Sequence, residues 1–163
     1  MELKELTQRF SDTKENQAKA VFSTLFIAGN RLQTLFDRNI PEITLKQFML
    51  LTMIRQSKEP LTFTQLGKLL GCSRQNIKKL AYALEKKGFV FITRNENDIR
   101  ASSIYPSEKC KSYFETVFIT YQKELNILFE DYTIAEMEQL FHLMMRLYTG
   151  IEKMERHTGN AKG

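Results

Sequence analysis

The 163-residue chain has no tryptophan, two cysteines, two histidines and three prolines, and each scarcity excludes something. Cys72 and Cys110 stand at no metal-ligand spacing, and neither His142 nor His157 sits in a Cys/His cluster, so neither a metal nor a cofactor is expected. Two thiols fit a reducing cytoplasm better than a disulfide scaffold. The seven glycines form no GxGxxG or GxxxxGK pattern, and no nucleophile–base set stands out, which argues against an enzyme. Ala20 to Asn30, the longest charge-free stretch near the N-terminus, is too short to cross a bilayer and follows a charged, amphipathic start. Neither a transmembrane helix nor a secretory signal is expected, and no membrane partner. Internal repeats and low-complexity tracts are likewise absent.

What the chain does have is apolar surface and unevenly placed positive charge. An apolar content of 42%, including 12 phenylalanines, supplies a core for one folded domain over 1–163. Between Leu61 and Arg100 the basic residues Lys68, Arg74, Lys78, Lys79, Lys86, Lys87, Arg94 and Arg100 face only Glu85, Glu96 and Asp98, and 8 − 3 gives the whole chain's net +5. The remainder is neutral overall. A positive field confined to one segment suits a polyanionic partner, although a charge run alone often marks only a solvated face.

Periodicity and capping signals divide the chain. Asp12 to about Asn39 reads as a long helix with Val21, Leu25, Ala28, Leu32 and Leu35 on one stripe, ended by Pro41. Thr44 with Gln47, Thr62 with Gln65 and Thr133 with Glu136 match capping boxes, predicting helices over 44–56, 62–70 and 133–156. A hairpin is predicted from Phe89 to Arg94, through a polar turn at 95–98, to Arg100–Tyr105. Pro106 and Ser107 then open a helix to about Glu130.

The segment 73–87 carries the functional signal. Ile77, Leu80, Ala81 and Leu84 form an i, i+3, i+4, i+7 stripe that must face a core. Gln75, Lys79, Tyr82 and Lys86 then point away from it, with Lys78 on the flank. Ser73 is a good N-cap, which places Arg74 and Gln75 in the first turn, the end that enters a major groove when such a helix reads DNA. The preceding short helix, joined through Gly71 and Cys72, gives helix-turn-helix spacing, and the hairpin after Gly88 supplies a wing.

These residues also carry a resemblance. The stretches "ITLKQFMLL" (43–51), "LTFTQLGKLLGCSRQNIKKLAYALEKKGFV" (61–90) and "DIRASSIYPSEKC" (98–110) resemble the multiple-antibiotic-resistance regulator (MarR) family of winged-helix transcription factors, from the first helix to about Met154. Pro106 and Cys110 replace the family's usual leucine and glycine. The expected fold is mainly α with a small β-hairpin wing: a winged helix-turn-helix over 44–106, flanked by dimerisation helices at 12–39 and 107–156. The resemblance implies a homodimer on double-stranded DNA. Ser73, Arg74, Gln75, Asn76, Lys78, Lys79, Tyr82, Lys86 and the wing residues Arg94, Asp98 and Arg100 are the DNA-binding set. In it Arg100 reaches a minor groove, and Asp98, on the same face of an extended segment, holds its guanidinium. Leu140, Met144, Leu147 and Ile151, within a full-length apolar stripe of the last helix, are the dimer candidates.

The resemblance further implies a small aromatic or anionic effector in a cleft for which Phe22, Phe26, Phe48 and Arg55 are candidates, though each also reads as plain core or surface. Two alternatives stand beside the regulator: a winged helix used only for protein docking, and thiol sensing through Cys72 at a helix N-terminus. The redox-sensing relatives carry their cysteine in the first helix, where this chain has none.

Overall fold

A computed structural model describes Glu5, residues 8–95 and residues 98–160, with the backbone alone described at 94, 95, 98–101, 159 and 160. The chain divides into two compact units, residues 1–121 and 122–163. The first contains helix α1 (Lys14–Asn39), α2 (Leu45–Gln56), strand β1 (Leu61–Thr62), α3 (Phe63–Leu70), α4 (Arg74–Lys86), β2 (Val90–Asn95), β3 (Asp98–Pro106) and most of α5 (Glu108–Phe129). The second contains the end of α5 and helix α6 (Ile134–Asn160).

The helix starts form where the hydroxyls were placed. Thr44 Oγ1 accepts from Gln47 N while Gln47 Oε1 accepts from Thr44 N, and the same reciprocal pairs join Thr62 to Gln65 and Thr133 to Glu136. Two amides that a helix start leaves unpartnered are thereby satisfied at each site. Those bonds also hold the Glu136 carboxyl below its ordinary pKa. Gln47 is buried, and this bond satisfies its side-chain oxygen there.

The core of the first unit joins Phe48, Leu50, Leu51 and Ile54 of α2, Phe63 and Leu66 of α3, Ile77, Ala81 and Leu84 of α4, Phe89, Val90 and Ile104 of the sheet, and Cys110, Tyr113, Phe114 and Val117 of α5. Leu80, the fourth residue of the predicted α4 stripe, packs half-buried against it. Phe48 lies at an aromatic centre, its ring centroid 5.0 Å from those of Phe36 and Tyr121 and 5.1 Å from that of Phe114. Tilted rings at these separations are favourable beyond their buried area.

Two sequence expectations need amendment. The hairpin is part of a three-stranded antiparallel sheet, β1–β3–β2, in which Ile104 pairs with both Leu61 and Ile92. Pro106 ends β3, paired with Val90, rather than opening α5; its missing amide is tolerated at a strand terminus. Ser107 alone starts the helix, its Oγ accepting from Cys110 N while donating to Gly88 O.

Candidate nucleic-acid interface

The α3–α4 pair meets at a close backbone approach. Gly67 is buried inside α3, and a Cβ built there falls 2.7 Å from the carbonyl oxygen of Cys72. Its own carbonyl accepts from the amides of Gly71 and Cys72. Gly71 closes α3 at φ +64°, a left-handed value that glycine adopts without steric cost. The chain then needs only Cys72 and Ser73 before α4 begins, with Ser73 Oγ accepting from Asn76 N. Cys72 is half-buried in this turn, its Sγ 3.5 Å from Leu70 O.

The far end of α4 is terminated as firmly. Phe89 N donates to Leu84 O and Gly88 N to Glu85 O, both at 2.9 Å. With Gly88 at φ +79° and Phe89 and Leu84 both buried, this is a Schellman stop with its apolar contact. The glycine therefore reverses the chain directly from helix into β2.

Burial of Ile77, Ala81 and Leu84 fixes the rotation of α4. Arg74, Gln75, Asn76, Lys79 and Lys86 are exposed. Lys78 and Tyr82 are half-buried: the Lys78 ammonium sits 5.7 Å from the Tyr82 ring centroid, and that ring lies 6.4 Å from Phe63. The outer face thus presents guanidinium, amide and ammonium groups, and among the described residues no ion pair engages Lys78, Lys79 or Lys86. Such a surface can hydrogen-bond base edges at its N-terminal turn and neutralise phosphates along its length.

Lys87 turns the other way. Its ammonium donates to Glu42 O at 2.5 Å and approaches Gln47 Oε1 at 3.4 Å. Lys109 completes this clasp with a hydrogen bond to Lys87 O, a 3.0 Å ion pair with Glu42 and a position over the Phe89 ring. Glu42 has φ 69°, rare for a residue with a side chain. Helical spacing sets Lys86 on the outer face with Lys79, whereas the partner of Lys87 comes from the α1–α2 corner, far away in sequence.

Of the wing candidates, Arg94, Asp98 and Arg100 lie on the strands nearest the hairpin turn, where Asn95 pairs with Asp98 after a register irregularity; their side chains fall outside the described residues. The effector candidates occupy different settings. Phe48 is core, the Arg55 guanidinium lies 4.9 Å from the Phe114 ring centroid, and Phe22 and Phe26 are 73% and 71% exposed on α1. On α6, Leu140 and Leu147 are half-buried and Met144 and Ile151 exposed. Burial pushes the Cys110 thiol up in pKa, only partly offset by the charge of Arg55, which makes it a packing residue rather than a nucleophile.

Among the described residues no group of three or more His, Cys, Asp or Glu is placed to hold a metal ion, and no helix is long and apolar enough to cross a membrane. Comparison with known proteins converges on one family. The "Transcriptional repressor MprA" of Escherichia coli K12 is 26% identical over 107 residues, which cover 66% of this chain and 61% of the repressor. A MarR/EmrR family transcriptional regulator from Acinetobacter sp. ADP1 superposes with a TM-score of 0.71 at 16% identity, over 83% of this chain and 97% of its own. The Staphylococcus aureus MarR in complex with salicylate and kanamycin also gives 0.71, at 15% identity, over 84% of this chain and 93% of its own. Residues 43–102 match the MarR family model, and the winged-helix fold of the chain is the one seen in these solved regulators.

Proposed function

We propose that this chain is a sequence-specific DNA-binding transcriptional repressor that acts as a homodimer on a pseudo-palindromic operator and responds to a small aromatic or anionic ligand. The observation that carries the DNA reading is the rotation of α4. Its apolar stripe is consumed by the core, leaving Arg74, Gln75, Lys79 and Lys86 exposed on a helix-turn-helix. In this reading Arg74 and Gln75 contact base edges, and Lys78, Lys79 and Lys86 contact phosphates. Arg94, Asp98 and Arg100 extend the contact from the wing. Repression follows from the likeness to a protein named a repressor, and the ligand from the salicylate-bound relative.

The dimer is supported by unburied apolar side chains on each unit. Val21, Phe22, Leu25, Phe26, Leu32 and Leu35 of α1 are all more than a third exposed, as are Phe141, Met144, Tyr148, Ile151 and Met154 of α6. A two-fold dimer sets its reading helices about 34–36 Å apart, on successive major grooves. An electrophoretic shift with mixed genomic fragments at low and moderate salt tests the reading. Salt-sensitive retardation is expected; none at either salt favours a winged helix that docks on protein.

A further inference from the structure

Glu85 is the one acid on α4, and two effects disfavour it there. It lies in the last turn, where the helix dipole repels a carboxylate, and it belongs to the element proposed to approach a polyanion. Its side chain shows a compensating role. Oε1 accepts from the backbone amide of Ile92 at 3.1 Å, bridging seven residues from the end of α4 across the Gly88 stop to β2. Because β2 is an edge strand of the sheet, that amide would otherwise face solvent without a fixed partner. The carboxylate therefore ties the wing to the helix. Ile92 pairs with Ile104, and Thr93 to Asn95 lead on into the hairpin end that carries Arg94.

Resting on the DNA reading above, we infer that Glu85 is a positioning residue for DNA binding: it sets the angle between the reading helix and the wing and touches no DNA itself. Three substitutions separate this from electrostatics. Glu85→Ala removes charge and acceptor; Glu85→Gln removes charge but keeps an acceptor oxygen at the same reach; Glu85→Asp keeps the charge but shortens the reach by one methylene. Were charge alone at work, Ala and Gln would both tighten binding by a similar factor, and Asp would leave it unchanged. As a brace, Ala and Asp weaken binding about threefold to tenfold, the net scale of one typical lost hydrogen bond, while Gln binds at least as well as the parent.

The duplex is one selected by the parent chain from a random-sequence pool, with binding read by fluorescence anisotropy. Amide hydrogen exchange at Ile92, measured without DNA, is the second readout, expected to quicken in Ala and Asp and to stay near the parental rate in Gln. Should Ala fail to fold, the Asp and Gln pair carries the comparison. Asp binding like the parent, or Ala binding as tightly as Gln, overturns the positioning role while leaving the DNA reading intact. A parent chain that retains no duplex from the pool removes the DNA reading and this role together.

Discussion

Replacing Gly67 with alanine tests how the helix-turn-helix is held together. On an exposed helix the change would stabilise by up to about 1 kcal/mol, because alanine loses less backbone freedom on folding. Here the new methyl meets Cys72 O at 2.7 Å. Ordinary contact begins near 3.4 Å, so 3.4 − 2.7 leaves 0.7 Å to be found. The obstructing atom is backbone, tied to the turn by the Cys72 N to Gly67 O hydrogen bond, and cannot rotate aside as a side chain would. Overpacking of this kind costs about 1–3 kcal/mol, equivalent to a fall of roughly 2–12 °C in melting temperature for a chain of this size.

The displacement matters more than the cost. Cys72 immediately precedes Ser73, the cap of α4, so yielding at its carbonyl moves the first turn that carries Arg74 and Gln75. Hydrogen bonds to base edges tolerate only a few tenths of an ångström, and losing one bidentate contact costs about 1–3 kcal/mol. Selected-duplex affinity should therefore fall about fivefold or more. Thermal melts by circular dichroism and binding by anisotropy measure the two effects. Gly71→Ala is the control: its Cβ enters open space, so only the left-handed φ of 64° is penalised, at roughly 1–2 kcal/mol. A Gly67→Ala protein that melts and binds like the parent would refute the claim that close backbone approach sets the α4 docking.

Replacing Lys78, Lys79 and Lys86 together with alanine should weaken binding to all duplexes alike and flatten the log K against log salt slope by up to about 0.9 per lost contact; an unchanged slope would mark that face as merely solvated. Tyr113 is buried and donates to Pro41 O at 2.5 Å, and burial with the nearby Glu42 charge pushes its phenol up to about 12. A raised pKa means the folded state holds the proton more tightly, so this contribution is complete below about pH 10 and is lost as pH rises towards 12. Tyr113→Phe should be less stable at neutral pH by about 1 kcal/mol but show a shallower loss in alkaline melts, and parallel pH curves for the two proteins would count against the assignment. Leu140→Glu or Met144→Glu should give monomers or an unfolded chain by light scattering and circular dichroism; a folded, fully active double variant would remove this stripe from any essential interface.

Much of the fold was legible because short-range chemistry determines it. Three hydroxyl residues followed at i+3 by Gln or Glu gave three helix starts within a residue of those observed. The hairpin was expected after Gly88, and the i, i+3, i+4, i+7 spacing of Ile77, Leu80, Ala81 and Leu84 gave the rotation of α4 and so its outer face. What escaped depends on partners distant in sequence. Strand β1 is two residues long and exists because β3 passes beside it; no periodicity can signal so short an element. Pro106 carried a helix-start signal, yet pairing with Val90 keeps it in the strand. The bond from Lys87 to Glu42 spans 45 residues of sequence, and Glu85 gave no hint that it reaches the strand beyond the stop.

The stripe on α1 shows a different limit. Val21, Leu25, Leu32 and Leu35 recur as a core-facing helix requires, yet no residue of α1 is buried within the chain. Periodicity specifies that a face must be covered and says nothing of what covers it. Scattered exposed apolar residues are normal on a protein surface, whereas a continuous stripe along most of a 26-residue helix is the kind of surface that marks an interface. The same holds separately for α6, where the apolar residues run from Met137 to Met154 and none is fully buried. Both helices lie outside the 43–102 segment matched by the family model, so the core that fixes α4 and the surfaces proposed to join two copies occupy different residues. Substitutions on α1 or α6 should therefore alter dimerisation and operator spacing while leaving the α3–α4 geometry intact. Changes at Gly67 should do the reverse, leaving dimers that bind half-sites and full sites with equally weakened contacts.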